Sequence, residues 1–174
     1  MDRIMVIGSG GSGKSTLARK IGAALDIEVI HLDALFWRPG WVETPREQWE
    51  EIQRALAKRD RWVMDGNYGG TLDIRLRAAD TVVFLDMPRT LCLWRIVSRR
   101  LRYTNQSRPD MAPGCEERLT WEFIRWVWTY PTRRRPSILT MLSAYAPGRR
   151  VIRLRSTRAV AGFVDSLRDV GTSA

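Results

Sequence analysis

Arg3-Ile4-Met5-Val6-Ile7-Gly8-Ser9-Gly10-Gly11-Ser12-Gly13-Lys14-Ser15 is the stretch that decides the fold. Its first five residues make an apolar run too short for a helix and rich enough in β-branched side chains for a buried strand. Gly8 to Ser15 then matches G-x-x-x-x-G-K-[ST]. From Ser15 to Leu25 the apolar residues Leu17, Ala18, Ile21, Ala24 and Leu25 return at helical spacing. Strand, glycine turn and helix follow in the order that gives the motif its physical meaning. Glycines without Cβ atoms let consecutive N–H groups turn inward around phosphate oxygens, at a helix N-terminus that carries partial positive charge. Lys14 is expected to reach the β- and γ-phosphates, and the Ser15 hydroxyl is a hard oxygen ligand suited to Mg²⁺. The expected cradle is Gly8, Ser9, Gly10, Gly11, Ser12, Gly13, Lys14, Ser15 and Thr16, holding a nucleoside triphosphate, read as ATP, with Mg²⁺.

Outward from this turn, strand and helix signals alternate. A second strand is expected over Ile27 to His31, ending in Leu32-Asp33, followed by a Pro/Gly-punctuated loop, Phe36 to Trp41. Thr44-Pro45-Arg46-Glu47 reads as a capping box with Pro at the first helical position, opening a helix to about Arg59. A third strand, Arg61 to Met64, leads into Asp65-Gly66-Asn67-Tyr68-Gly69-Gly70; a short helix over Leu72 to Ala78 and a fourth strand over Thr81 to Leu85 follow. Asp86-Met87-Pro88 reads as an N-cap and start for a helix to about Tyr103, and Thr104 to Gly114 as a loop. Helical spacing resumes from Glu116 to Trp128 and, past Pro131 and Pro136, from Ser137 to Tyr145; Arg149 to Leu154 is a last strand and Arg158 to Val170 a closing amphipathic helix. Such alternation predicts an α/β fold, a mostly parallel sheet with helices on both faces.

The chain's 174 residues suit one domain. With 44% hydrophobic residues, and no apolar run near the roughly 20 residues a membrane span needs, no membrane association is expected. The first ten residues read as neither a signal nor a transit peptide, so the expected location is the cytoplasm. Cys92, Cys115 and His31 cannot assemble a zinc site or a disulfide framework, which leaves oxygen ligands for any metal.

The net charge of +10 is unevenly placed: Arg89 to Arg155 holds 15 arginines against four acids, whereas the rest is nearly balanced. That asymmetry points to an anionic partner, either a polyphosphate nucleotide or DNA bound through this Arg-rich segment, or to a merely basic surface. Arg95, Arg99 and Arg102 share one helix face with Arg100 beside them, and Arg133-Arg134-Arg135 forms a second group. The two groups bracket a lid-like segment, about 103–136, able to close over phosphates. Trp121, Phe123, Trp126, Trp128 and Tyr130 interleave with arginines, a pattern of core packing more often than of base stacking. Trp37 and Trp41, in the loop after Asp33, are the better candidates for a stacking wall.

In doubly wound sheets ligands sit outside the carboxyl ends of the strands, which singles out Asp33, Asp65 and Asp86. Asp33 and Asp65 could hold Mg²⁺ through water or accept a proton or hydrogen bond from an acceptor hydroxyl, or could be turn and capping residues. His31 reads as a partly buried structural residue.

With these parts in place the chain resembles the adenylate-kinase-like P-loop kinases over nearly its whole length. The resemblance implies a five-stranded parallel sheet of order 2-3-1-4-5. It sets Val63-Met64-Asp65-Gly66-Asn67-Tyr68 at an acceptor site and casts Arg95 and Arg99 as phosphate clamps. His31-Leu32-Asp33-Ala34-Leu35-Phe36-Trp37, Asp65-Gly66-Asn67-Tyr68 and Arg108-Pro109-Asp110-Met111 look like the bacterial proteins labelled DNA topology modulation proteins. Asn67-Tyr68 stands where adenylate kinases have Phe-Pro-Arg, which removes an arginine for a nucleoside monophosphate. The post-lid clamp falls among Arg108, Arg118, Arg125, Arg133 and Arg134. The resulting expectation is a phosphotransferase moving the γ-phosphate of ATP to a small-molecule acceptor, with Lys14, Asp33, Asp65, Arg95 and Arg99 as catalytic candidates and Asp33, Trp37, Asp65, Asn67 and Tyr68 binding the acceptor. The rivals are a nucleotide-switched DNA-binding factor and a bare NTPase.

Overall fold

The computed structural model describes residues 1–102, 114–115, 119–145 and 147–171. In chain order its elements are β1 (Arg3–Gly8), α1 (Lys14–Leu25), β2 (Val29–His31), α2 (Leu32–Phe36), β3 (Trp37–Arg38), β4 (Val42–Glu43), α3 (Arg46–Ala57) and β5 (Trp62–Asp65). There follow α4 (Leu72–Ala78), β6 (Thr81–Leu85), α5 (Arg89–Arg102), α6 (Trp121–Arg133), α7 (Arg135–Tyr145), β7 (Arg150–Leu154) and α8 (Thr157–Gly171).

The main sheet runs β2-β5-β1-β6-β7 with every pairing parallel. Numbered among themselves, its strands have the order 2-3-1-4-5, as the resemblance implies. Alternation along β1 explains the layering: Ile4 and Val6 join Leu17, Ile21, Val164 and Leu167 on one face. Met5 and Ile7 join Trp49, Leu76, Phe84 and Leu142 on the other. A strand buried on both faces cannot show a polar alternation, hence the apolar runs in the sequence. Register sets His31 beside Asp65, Asp65 beside Val6, and Gly8 beside Leu85, so the strands' carboxyl ends converge around the glycine turn. No helix among the described residues is long and apolar enough to cross a membrane.

Four local expectations are corrected. The stretch after Asp33 is not a plain loop: α2 leads into the β3–β4 hairpin, turned by Gly40 (φ 79°) and Trp41 (φ 66°). Strands of two residues are too short for periodicity to register. The capping box does not form; the Thr44 hydroxyl donates to Phe36 O (2.7 Å), tying the hairpin's base, and Pro45 takes the N-cap position of α3. Asp86 does not cap α5, whose first turn closes with Cys92 N–H on Pro88 O (3.1 Å). Its carboxylate instead accepts from Arg153 (Nε 2.9 Å, Nη2 2.5 Å) and lies 3.3 Å from Arg135 Nε. Finally, α6 continues through Pro131 to Arg133. One missing N–H so near the helix end is tolerated, and Arg134 N–H restores the pattern on Tyr130 O (3.0 Å). Pro136 sits in the first turn of α7, where no N–H is needed.

Candidate active site

At the glycine turn, backbone geometry excludes side chains. Gly11 has φ 73°, and a Cβ there would lie 2.3 Å from Cys92 O on α5. Gly13 has φ 99° and caps α1 without a side-chain hydrogen bond. The first bond of the helix is Leu17 N–H to Gly13 O (2.9 Å), so the N–H groups of Lys14, Ser15 and Thr16 precede any intrahelical acceptor. The Ser12 hydroxyl is buried with no partner among the described residues. An array of donors around one bend, at a helix N-terminus, is what phosphate oxygens require.

Lys14 is half-buried and arches back over the bend, Nζ donating to Ser9 O (3.0 Å). Burial pulls its pKa below the ordinary lysine value; the nearby charges of Asp33 and Asp65 act the other way, and Arg99 adds to the lowering. Asp33, Asp65 and Arg99, all singled out in the sequence, therefore each lie within electrostatic reach of Lys14. Arg95 crosses from α5 to donate through Nη1 to Ser12 O (3.0 Å). Beside the turn a cavity of about 370 Å³ is lined by Ser12, Gly13, Thr16, Met87, Arg95 and Val160, among others, with room and apolar surface for a planar base.

Among the described residues no group of three or more His, Cys, Asp or Glu side chains could hold a metal ion. The Ser15 hydroxyl, together with phosphate oxygens and water, makes a donor set that the chemistry of Mg²⁺ accepts.

At the ends of β2 and β5, His31 Nδ1–H donates to Asp65 Oδ1 (2.9 Å), and Asp65 is buried. Asp33, in the first turn of α2, accepts from the Tyr68 hydroxyl (2.6 Å). Tyr68 has φ 35°, a left-handed conformation rare for a bulky residue. Burial, and next the Asp33 charge, push its hydroxyl pKa well up, so it remains a donor. Its ring packs against Phe36 and Trp49, at 4.7 and 4.9 Å between centroids. Asn67 clasps the turn: its amide donates to Gly8 O (2.6 Å) and accepts from Gly8 N–H (3.0 Å). Expected as an acceptor ligand, its side chain is engaged with the first glycine of the bend.

Arg75 organises this loop and was not singled out in the sequence. Fully buried, it donates to Gly66 O (2.8 Å) and Asn67 O (2.7 Å), and burial draws its pKa down to about 10. The signal was present: Arg75 shares the buried face of α4 with Leu72 and Leu76, an unusual place for a cation.

A second cavity, about 640 Å³, opens beside this loop, lined by Glu43, Asn67, Tyr68, Trp126, Tyr130 and Arg134, with Gly69, Leu72, Ser137 and Met141. Trp37 is not part of that lining; it packs edge-on against Phe36 (4.9 Å) and Trp41 (5.3 Å) and, with Trp41, covers buried Cys115. Of the lid-like segment, 103–113 and 116–118 lie outside the described residues, including Arg108 and Arg118; the remainder is α6 and its corner with α7. Several arginines of the basic segment have partners within the chain. Besides Arg95, Arg135 and Arg153 hold Asp86, Arg149 donates to Ala79 O (3.2 Å) and Arg77 O (3.1 Å), and Arg89 lies over the Trp128 ring (3.9 Å).

The chain matches no protein-family model and no curated protein. Its fold is similar to that of a gluconokinase from Sinorhizobium meliloti 1021, with TM-score 0.55 and 18% identity over 99% of this chain and 92% of that one. A shikimate kinase from Acinetobacter baumannii, in complex with shikimate, gives TM-score 0.58 and 19% identity over 99% and 94%. The shikimate kinase from Bacteroides thetaiotaomicron gives 0.54 and 17% over 97% of each. At these identities the likeness is one of fold: the five-stranded parallel sheet and its flanking helices share the architecture of these three kinases.

Proposed function

We propose that this chain is a Mg²⁺-dependent phosphotransferase that moves the γ-phosphate of ATP to a hydroxyl of a small molecule. The observation that carries this reading is the meeting, at the strand ends, of a donor-lined bend, a half-buried lysine and two carboxylates, with one cavity beside the bend and another beside the loop after β5. The smaller cavity takes the nucleotide base and the larger one the acceptor. Lys14 and the arginines Arg95 and Arg99 offset phosphate charge, in the manner of the adenylate-kinase-like enzymes. Ser15 holds the metal, which polarises the phosphates when bound. The acceptor oxygen forms its bond to the γ-phosphorus as the bond to ADP breaks. Its proton passes to a carboxylate, for which Asp33, already on a hydroxyl, is the candidate. Asp65, fixed by His31, orients water or acceptor.

The test is acceptor-dependent ADP formation over a panel that includes shikimate, gluconate and nucleoside monophosphates. Asp33→Asn is expected to lower turnover about 100-fold, the scale of a lost general base, with the KM for ATP little changed; equal turnover by the variant would remove Asp33 from the chemistry. Duplex DNA titrated beside this panel is expected to show no tight binding, because Arg95, Arg135, Arg149 and Arg153 of the segment are engaged within the chain. Strong, salt-steep DNA binding with no phosphorylated acceptor would reverse the choice.

A further inference from the structure

One side chain joins the larger cavity to the candidate base. Tyr68 lines that cavity, and its hydroxyl donates to Asp33 Oδ1 at 2.6 Å, the length of a strong bond to a charged oxygen. Asp33 is half-buried, stands in the first turn of a five-residue helix and lies within electrostatic reach of Lys14. A carboxylate so placed has two torsions of its own, and a bond to one oxygen sets where the other points.

Tyr68 is tethered along its whole length. Its carbonyl accepts from Thr71 N–H (3.0 Å), the Thr71 hydroxyl (3.3 Å) and Arg75 Nη2 (3.4 Å). Its ring meets Phe36 of α2 and Trp49 of α3, the second of them buried. Its backbone is left-handed, with φ 35° and ψ 69°, although Gly69 and Gly70 follow at once. Either glycine would take that conformation without steric cost, so the loop holds a phenol at this position against the local backbone preference. The hydroxyl on Asp33 has two possible uses: it gives way to the acceptor, or it stays and fixes the carboxylate. The tethering favours the second, because the ring leaves only by giving up both aromatic neighbours.

We propose that Tyr68 is a positioning residue, whose hydroxyl holds Asp33 Oδ1 and so turns Oδ2 toward the acceptor hydroxyl. The inference rests on the phosphotransfer reading above and adds to it the group that orients its base. A base must meet the proton within hydrogen-bond reach, and a base oriented by a third group spends nothing on finding that geometry at the moment of reaction. Expected from the sequence as an acceptor ligand, Tyr68 thus acts through Asp33, while its ring serves as cavity wall.

Tyr68→Phe tests this, since it removes the hydroxyl and keeps the ring. Acceptor-dependent ADP formation by the full chain is measured with the most active compound of the panel above. The variant is expected to lower kcat about 10- to 100-fold, the scale of a misplaced reacting group, with the KM for ATP within about twofold. In an Asp33→Asn background the same change should cost less than about twofold, because a hydroxyl that works through the Asp33 carboxylate has no base left to orient. A merely structural role would lower turnover by the same factor in both backgrounds. A crystal structure of Tyr68→Phe gives a reading that needs no acceptor: the Asp33 carboxylate is expected to leave its present rotamer. An undiminished kcat, equal losses in the two backgrounds, or a carboxylate unmoved in the variant would overturn the positioning role and leave the kinase reading standing. If the parent chain phosphorylates no compound of the panel, the kinase reading fails and the role of Tyr68 falls with it.

Discussion

Lys14→Met is expected to lower phosphoryl transfer about a thousandfold, the scale for removing a preorganised charge from a transition state, without lowering stability. Lys14 lies half-buried at the bend, and desolvation is the largest single influence on it, acting against the attraction of Asp33 and Asp65. Removing the ammonium therefore relieves an unfavourable burial, and methionine fills nearly the same volume with no polar group. What is lost is the only lysine at the bend, and with it the compensation of charge on the transferring phosphate. The prediction is directional on two axes: activity collapses while the melting temperature holds or rises. Parallel thermal melts and ADP-formation assays check it. A variant that keeps substantial turnover, or loses both properties together, would remove Lys14 from the chemistry and make it a structural cation.

The largest effect on stability is expected from Arg75→Met, a loss of about 2–4 kcal/mol, because a buried and a partly buried carbonyl lose their donor. At about 2–4 °C per kcal/mol for a chain of this size, the melting temperature should fall by about 4–16 °C. The guanidinium serves Gly66 O and Asn67 O at once, a two-pronged task that a lysine ammonium performs poorly. So Arg75→Lys should recover only part of the loss. The consequences reach the site: Asn67 is the residue that clasps Gly8, and the left-handed Tyr68 follows it. A strained residue persists only where its surroundings over-determine it. Loosening this loop should therefore also weaken the acceptor side, seen as faster amide exchange from Asp65 to Thr71. A melting temperature within about 2 °C of the parent, which is under about 1 kcal/mol, would contradict the account of Arg75.

What the sequence makes legible follows from the range of the interactions involved. The glycine bend, β1 and α1 are local features, and their motif reports them because spacing and backbone conformation are set within a dozen residues. The sheet order is non-local and entered only through a resemblance; register then brings His31, Asp65 and Gly8 together. Asp33 and Asp65 could be singled out because strand ends mark ligand sites in such folds, but their partners, Tyr68 and His31, lie 34 or more residues away. Asp86 misled because Asp-Met-Pro is a local cap signal, whereas its partners sit on β7 and α7. The Thr44 hydroxyl likewise chose a carbonyl eight residues back over its own helix. Arg75 was visible as a cation among leucines, yet nothing in its neighbourhood says which carbonyls it serves.

The central claim is that the bend from Gly8 to Ser15 holds a triphosphate. A crystal structure with Mg²⁺ and a non-hydrolysable ATP analogue tests it most directly. The account predicts phosphates on the N–H groups of Lys14, Ser15 and Thr16, the Ser12 hydroxyl paired, and the Lys14 ammonium moved from Ser9 O onto a phosphate oxygen. Clear density for the analogue elsewhere, with Lys14 still on Ser9 O, would contradict it.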